Sequence, residues 1–163
     1  MLRWMSVSHR FRWSVDCQPV SLAIAMSILA DIYLSRDDKA AGYDTAHQQF
    51  PDRVQYRRFT MWELSILWSI MRGVEPDDAL LDHFECLLEK DGGERMIHRL
   101  PQEMVTELAG LTPERIAKIS PQWAAIEELA WLPEDAQAVV QDLARLSGQA
   151  IQSGRSVYIW NCV

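Results

Sequence analysis

The last thirty residues constrain this chain most. From Pro133 the apolar positions Ala136, Val139, Val140, Leu143, Leu146, Ala150 and Ile151 recur at helical spacing, Gly154 breaks the run, and Val157-Tyr158-Ile159-Trp160 follows at once. Proline in the first turn, with Glu134 and Asp135 beside it, suits a helix start, and glycine suits the left-handed residue that closes one. A strand that ends a chain must pair with strands already in place. The pattern therefore predicts an inner or near-inner position for 157–160 in a sheet built from the preceding residues.

Candidate partners for that strand precede it. Ser27 to Leu34 alternates, with Ile28, Ala30, Ile32 and Leu34 on one face and Leu29, Asp31 and Tyr33 on the other. Asp37-Asp38 opens a short helical stretch that Gly42 weakens, and 43–53 reads as a polar connection closed by Phe50-Pro51. Val54 to Phe59 is a second strand, with Arg53, Arg57 and Arg58 along a solvated edge. Phe84–Lys90 and Gly93–Leu100 flank Asp91-Gly92, a dipeptide that supplies the positive backbone angles of a tight hairpin turn. A two-residue loop would set Leu87 opposite Met96, Cys86 opposite Ile97 and Glu85 opposite His98.

Helices fill the rest. Thr60-Met61-Trp62-Glu63 is a capping box, and the helix it opens runs to about Arg72 before Gly73. Its apolar positions cover most of the circumference, which predicts burial on more than one side. Pro76-Asp77-Asp78 opens a short helix ending near Asp82, and Gln102 to Ala109 forms another ahead of Gly110. Thr112-Pro113 and Ser120-Pro121 are each a cap followed by proline. They predict two helical segments in close succession, although Ile116, Ile119, Trp123, Ile126 and Ala130 also fit one kinked helix. The whole predicts a single α+β domain over 26–163, with a small mixed or antiparallel sheet packed against several helices.

Residues 1–25 differ in composition. Arg3, Arg10 and Arg12 against Asp16 make them +2, which leaves −9 of the net −7 for the remainder. A secretory signal, an added extension, and a translation start upstream of a true start at Met26 all fit. Met26 directly precedes the first strand, and cleavage after Ala30 would cut that strand in half.

The totals restrict function. At 163 residues, 48% apolar and with seven tryptophans, the chain has a core that needs neither disulfides nor a structural metal. The negative charge disfavours nucleic acid and anionic membranes, which require clustered Lys and Arg. Cys17, Cys86 and Cys162 form no close pair, so a reducing cytoplasm is the expected setting.

The segments Ile32-Tyr33-Leu34 followed by Asp37-Asp38-Lys39-Ala40-Ala41, then Trp123-Ala-Ala-Ile-Glu127-Glu128, then Ser153-Gly154-Arg-Ser-Val-Tyr158-Ile-Trp160 resemble small α+β bacterial proteins distantly similar to the YfbM-like family. The resemblance covers roughly 28–163. It implies an α+β fold, a cytoplasmic bacterial setting and a start at or just before the first strand. No activity comes with it.

No phosphate-binding glycine loop, His-Glu-x-x-His, nucleophile elbow or cysteine knuckle is present. The candidate catalytic pair is Glu85 with His98, a carboxylate orienting an imidazole as general base, against the plainer reading of an exposed cross-strand pair. His83 would add a third donor, at a spacing too unspecific to define a metal site. Glu127 and Glu128 beside Trp123 and Trp131 are the candidate binding residues, an indole-lined groove for a cationic group, with Glu127 nearer in helical angle to Trp123. Cys162 reads as a small apolar strand residue. No cofactor or metal is expected.

Two functions follow. One is a small acidic protein-binding module, of immunity or antitoxin-like inhibitor type, that covers a basic protein with carboxylates and tryptophan and exists as monomer or homodimer. The other is an enzyme of unrecognised type with a carboxylate and histidine site.

Overall fold

In the computed structural model, which describes residues 28–163, the terminal strand occupies the centre of the sheet. The strands are β1 (Leu29–Ser35), β2 (Arg53–Arg57), β3 (Glu85–Lys90), β4 (Arg95–Arg99) and β5 (Ser156–Cys162), in the order β2-β1-β5-β4-β3. Every pairing is antiparallel. β5 thus joins two units made earlier in the chain, the β1–β2 pair and the β3–β4 hairpin. The segment 1–25 and the readings attached to it lie outside the described residues.

The helices are α1 (Tyr43–Ala46), α2 (Met61–Arg72), α3 (Gln102–Ala109), α4 (Pro113–Ala124) and α5 (Pro133–Ser153). Short 3-10 turns flank α1, and another spans Asp78–His83. The capping box of α2 forms as the residue types require: the Thr60 hydroxyl accepts from the Trp62 amide at 3.1 Å, and the Thr60 amide donates to the Glu63 carboxylate at 2.6 Å. Gly73 and Gly154 close α2 and α5 at φ 68° and 64°. The two prolines of 112–121 do not divide the chain into two segments. α4 runs through Pro121, whose missing amide falls in the final turn, and Ile116, Ile119 and Trp123 keep one buried face across it.

Cross-strand register sorts the core into two layers. Ala30, Ile32 and Leu34 of β1 share a face with Val157 and Ile159 of β5, and α2 to α5 cover it. α5 packs on β1 and β5 on one side and on α3 and α4 on the other. The opposite face carries Tyr33, Ile97, Tyr158 and Trp160, covered by the segment around α1 through Ala40, Tyr43 and Phe50. That segment, expected as a polar connection, buries the Tyr43 ring and half-buries that of Phe50. Tyr43 stacks on Tyr33 at 3.9 Å between centroids, and Phe50 meets both edge-on at 5.2 and 5.4 Å. Among the described residues no helix is long and apolar enough to cross a membrane.

Candidate functional site

The β3–β4 turn decides the fate of the Glu85 and His98 pair. Asp91, Gly92 and Gly93 all have positive φ, at 53°, 69° and 94°, and the last paired residues are Lys90 and Arg95. The connection is therefore four residues long, and a bulge between Cys86 and Leu88 shifts the register again. Glu85 faces Arg99, Cys86 faces His98 and Leu88 faces Ile97. Glu85 and His98 point to opposite faces of the sheet, so the carboxylate cannot orient the imidazole. His98 is 4% exposed on the helix side, opposite Ile159 as well as Cys86, and its Nδ1 has no partner among the described residues. Burial pushes its pKa down, opposed only by the charge of Glu89. His83 lies edge-on to Trp68 at 5.7 Å. Among the described residues no group of three His, Cys, Asp or Glu is placed to hold a metal ion. Cys162 sits half-buried at the end of β5, opposite Leu29 and Arg95.

The second predicted group also divides. α4 ends at Ala124, so Glu127 and Glu128 lie in irregular turns and the helical angle that brought Glu127 toward Trp123 does not apply. Trp123 is fully buried: its indole N–H donates to the Glu63 carbonyl at 2.9 Å, and its ring meets Phe59 and Trp131 edge-on at 5.9 and 5.4 Å. The indoles form a wall of the core rather than a groove. Glu127 and Glu128 instead face solvent on a turn fastened beside the start of α2, by the Trp123–Glu63 bond and by Trp131 against Phe59 at 5.5 Å. The pKa of Glu63 is raised, chiefly by burial, and the charge of Glu128 adds to the shift. Around this junction Trp62 is 39% exposed and Leu132 60%, and Glu134 and Asp135 are exposed at the start of α5.

The opposite face of the sheet holds a polar cluster that sequence reasoning missed. The side chain of Asp44 on α1 is wholly inaccessible, yet accepts from Lys90 Nζ at 2.9 Å, Arg95 Nη1 at 2.9 Å and the Trp160 indole at 3.0 Å. Burial raises its pKa, but the bonds from Lys90 and Trp160 and the charges of Arg95 and Lys90 outweigh that, and the carboxyl titrates below its ordinary value. Asp31 accepts from the Tyr43 hydroxyl at 2.7 Å and from Gln55 at 3.0 Å. These bonds clamp the 36–52 segment onto the sheet. The only local sign of them is a charged residue, Asp31, inside an otherwise apolar strand.

At one end of the sheet a single register row crosses all five strands: Arg53, Tyr33, Tyr158, Arg99 and Glu85. Here the loop after β1 meets the β4–α3 junction and the α5–β5 turn, around a cleft of about 660 Å³. Arg36, Asp37, Asp38, Arg99, Gln102, Ile151 and Arg155 line it. A smaller hollow of about 190 Å³ adjoins it across Arg99 and Gln102 and takes in His83 and Glu85. Asp37 accepts from the Tyr158 hydroxyl at 2.6 Å and from Ser156 at 2.9 Å. Those two bonds, with the charge of Arg99, hold its pKa below the ordinary range. The Tyr158 hydroxyl is pushed up to about 12 by burial and by the Asp37 carboxylate. The cleft draws on residues over a hundred positions apart, and no local motif announces it. No protein-family model, curated protein or solved structure matches this chain.

Proposed function

We propose that this chain is an acidic protein-binding module whose contact surface is the junction of the 125–132 turn with the first turns of α2 and α5. The observation that carries the reading is the exposure of Trp62 and Leu132 beside the carboxylates Glu127, Glu128, Glu134 and Asp135. Large apolar side chains standing in water among carboxylates are what a basic partner with an apolar centre would cover, although Arg58, which donates to the Ala130 carbonyl at 3.5 Å, places one positive charge on the same turn. The apolar contacts supply affinity, and the charges supply speed of encounter and selectivity. Residues 26–163 carry −9, so the long-range field favours the same class of partner. Among the described residues Cys86 and Cys162 form no disulfide, in keeping with a reducing cytoplasm, where we place the protein as a monomer or homodimer before it meets its partner. The enzyme reading has lost its motivating pair, since Glu85 and His98 occupy opposite faces of the hairpin.

The test is capture from an extract of the source cells at physiological ionic strength, with the wild-type chain and with Glu127→Lys/Glu128→Lys as parallel baits. The expected result is one basic protein held stoichiometrically by the wild type, released by high salt and lost from the reversed variant. Recovery of wild type only as free monomer or homodimer, or equal retention by both baits, overturns the proposal.

A further inference from the structure

We propose that the cleft between the loop after β1, the β4–α3 junction and the α5–β5 turn is a binding site for a monocarboxylate with an apolar body, with Arg99 as the group that takes the carboxylate. The inference rests on unspent donors. Arg155, in the same wall, is committed: it donates to Asp52 at 2.6 Å and to the Ser153 hydroxyl at 2.8 Å. Arg99 is not. Its Nη1 stands 3.3 Å from Asp37 and 3.7 Å from Glu85. Both separations are long for a charge-assisted bond, which closes to about 2.7–2.9 Å. Among the described residues the Arg99 guanidinium makes no hydrogen bond at all. Arg36 is in the same position, 3.5 Å from Asp38. Two planar forks with free N–H groups thus face one cleft, and a guanidinium fork matches a carboxylate through two parallel bonds.

The rest of the lining selects the kind of anion. Asp37 and Asp38 share the cleft, so a dianion such as phosphate would face two like charges at close range, whereas a single negative charge is balanced by one fork. Asp37 spends Oδ1 on Tyr158 and Ser156 and turns Oδ2 toward Arg99 Nη1 at 3.3 Å, so the remaining N–H groups of the guanidinium are the ones left to a ligand. The apolar part of the wall comes from α5, where Ile151 is 49% exposed over the same opening. A volume of about 660 Å³ is of the size that small ligands occupy. This site is independent of the acidic surface proposed above.

Titration of the ¹⁵N-labelled chain tests it, with hexanoate as probe and hexanamide and inorganic phosphate as controls, followed by two-dimensional amide and arginine side-chain spectra. Acetyl-leucine, titrated in parallel, separates a free fatty-type acid from a peptide carboxyl terminus as the preferred source. The expected result is saturable hexanoate or acetyl-leucine binding, with shifts confined to 36–38, 99–102 and 150–156 and no response to hexanamide. Arg99→Gln weakens it at least tenfold, Arg36→Gln weakens it several-fold, and Arg57→Gln, exposed on β2, leaves it unchanged. Thermal melts of each variant establish that it is folded, and Arg36, on an exposed loop, keeps the test valid if Arg99→Gln is not. Absence of saturation by either acid, equal binding of the amide, tighter binding of phosphate, or wild-type affinity in a folded Arg99→Gln variant overturns the proposal.

Discussion

Replacing Asp44 by alanine removes the acceptor at the centre of the buried polar cluster, and the cost can be worked from its partners. The Trp160 indole N–H is buried and loses its only described acceptor, and an orphaned buried donor costs about 1–3 kcal/mol. Lys90 and Arg95 keep roughly two-fifths and one-third of their side-chain surface in water, so each ion pair contributes only about 0–1 kcal/mol. The sum is a destabilisation of about 1–5 kcal/mol. Asp44→Asn retains an oxygen for the indole and loses only the charge, so its cost is smaller, about 0–2 kcal/mol. Urea unfolding followed by tryptophan fluorescence measures both. The pH dependence carries a definite sign. The folded pKa of Asp44 lies below its ordinary value, so its contribution is complete above about 3.9, the unfolded value, and is lost as pH falls through the folded one. The gap between wild type and Asp44→Ala therefore narrows below pH 4. A loss under about 1 kcal/mol at unchanged m-value, or a gap that widens in acid, would refute the view that a buried carboxylate clamps the 36–52 segment to the sheet.

Other substitutions probe the remaining parts. Burial sets the folded pKa of His98 below that of the unfolded imidazole, so the unfolded chain takes the proton first and stability falls as pH drops from 7 toward 5; in His98→Leu that part of the slope disappears, as urea midpoints across this range will record. Trp123→Ala empties the space beside Phe59 and Trp131 and removes the indole's bond to the Glu63 carbonyl, which keeps its partner within α2, at a cost of about 3–5 kcal/mol by chemical denaturation. Deleting Val157 to Val163 removes the strand that joins β1 to β4 and abolishes cooperative melting; a soluble truncation with a sharp transition would show that the two halves of the sheet stand alone.

The architecture was legible where local chemistry and burial agree. Thr60 with Glu63, Pro133 with Gly154, and the apolar alternation of 157–160 each specify an element by their own residues, and each forms. The central place of β5 follows from pattern too, since Val157 and Ile159 must be buried on one face while Tyr158 and Trp160 are buried on the other. Register was not legible. Asp91-Gly92 marks a turn, but Gly93 also takes positive φ and the loop becomes four residues, which would set Glu85 opposite Leu100, and the bulge at 86–88 sets it back by one to Arg99. Helical spacing past Pro121 continued into a stretch where the helix had ended, which placed Glu127 beside Trp123 on paper and in solvent in the molecule. The covering role of Tyr43, Asp44 and Phe50 was hidden among polar neighbours, and the cleft at Arg99 is assembled only by the tertiary fold.

The most direct test of the proposed function is amide hydrogen exchange of the chain alone and with the basic protein that it captures. The account predicts that binding slows exchange at the start of α2 and across 126–136, around Trp62, Glu127, Glu128 and Leu132. Protection confined to the exposed β3 edge or to the Arg99 cleft, or none anywhere, would contradict it.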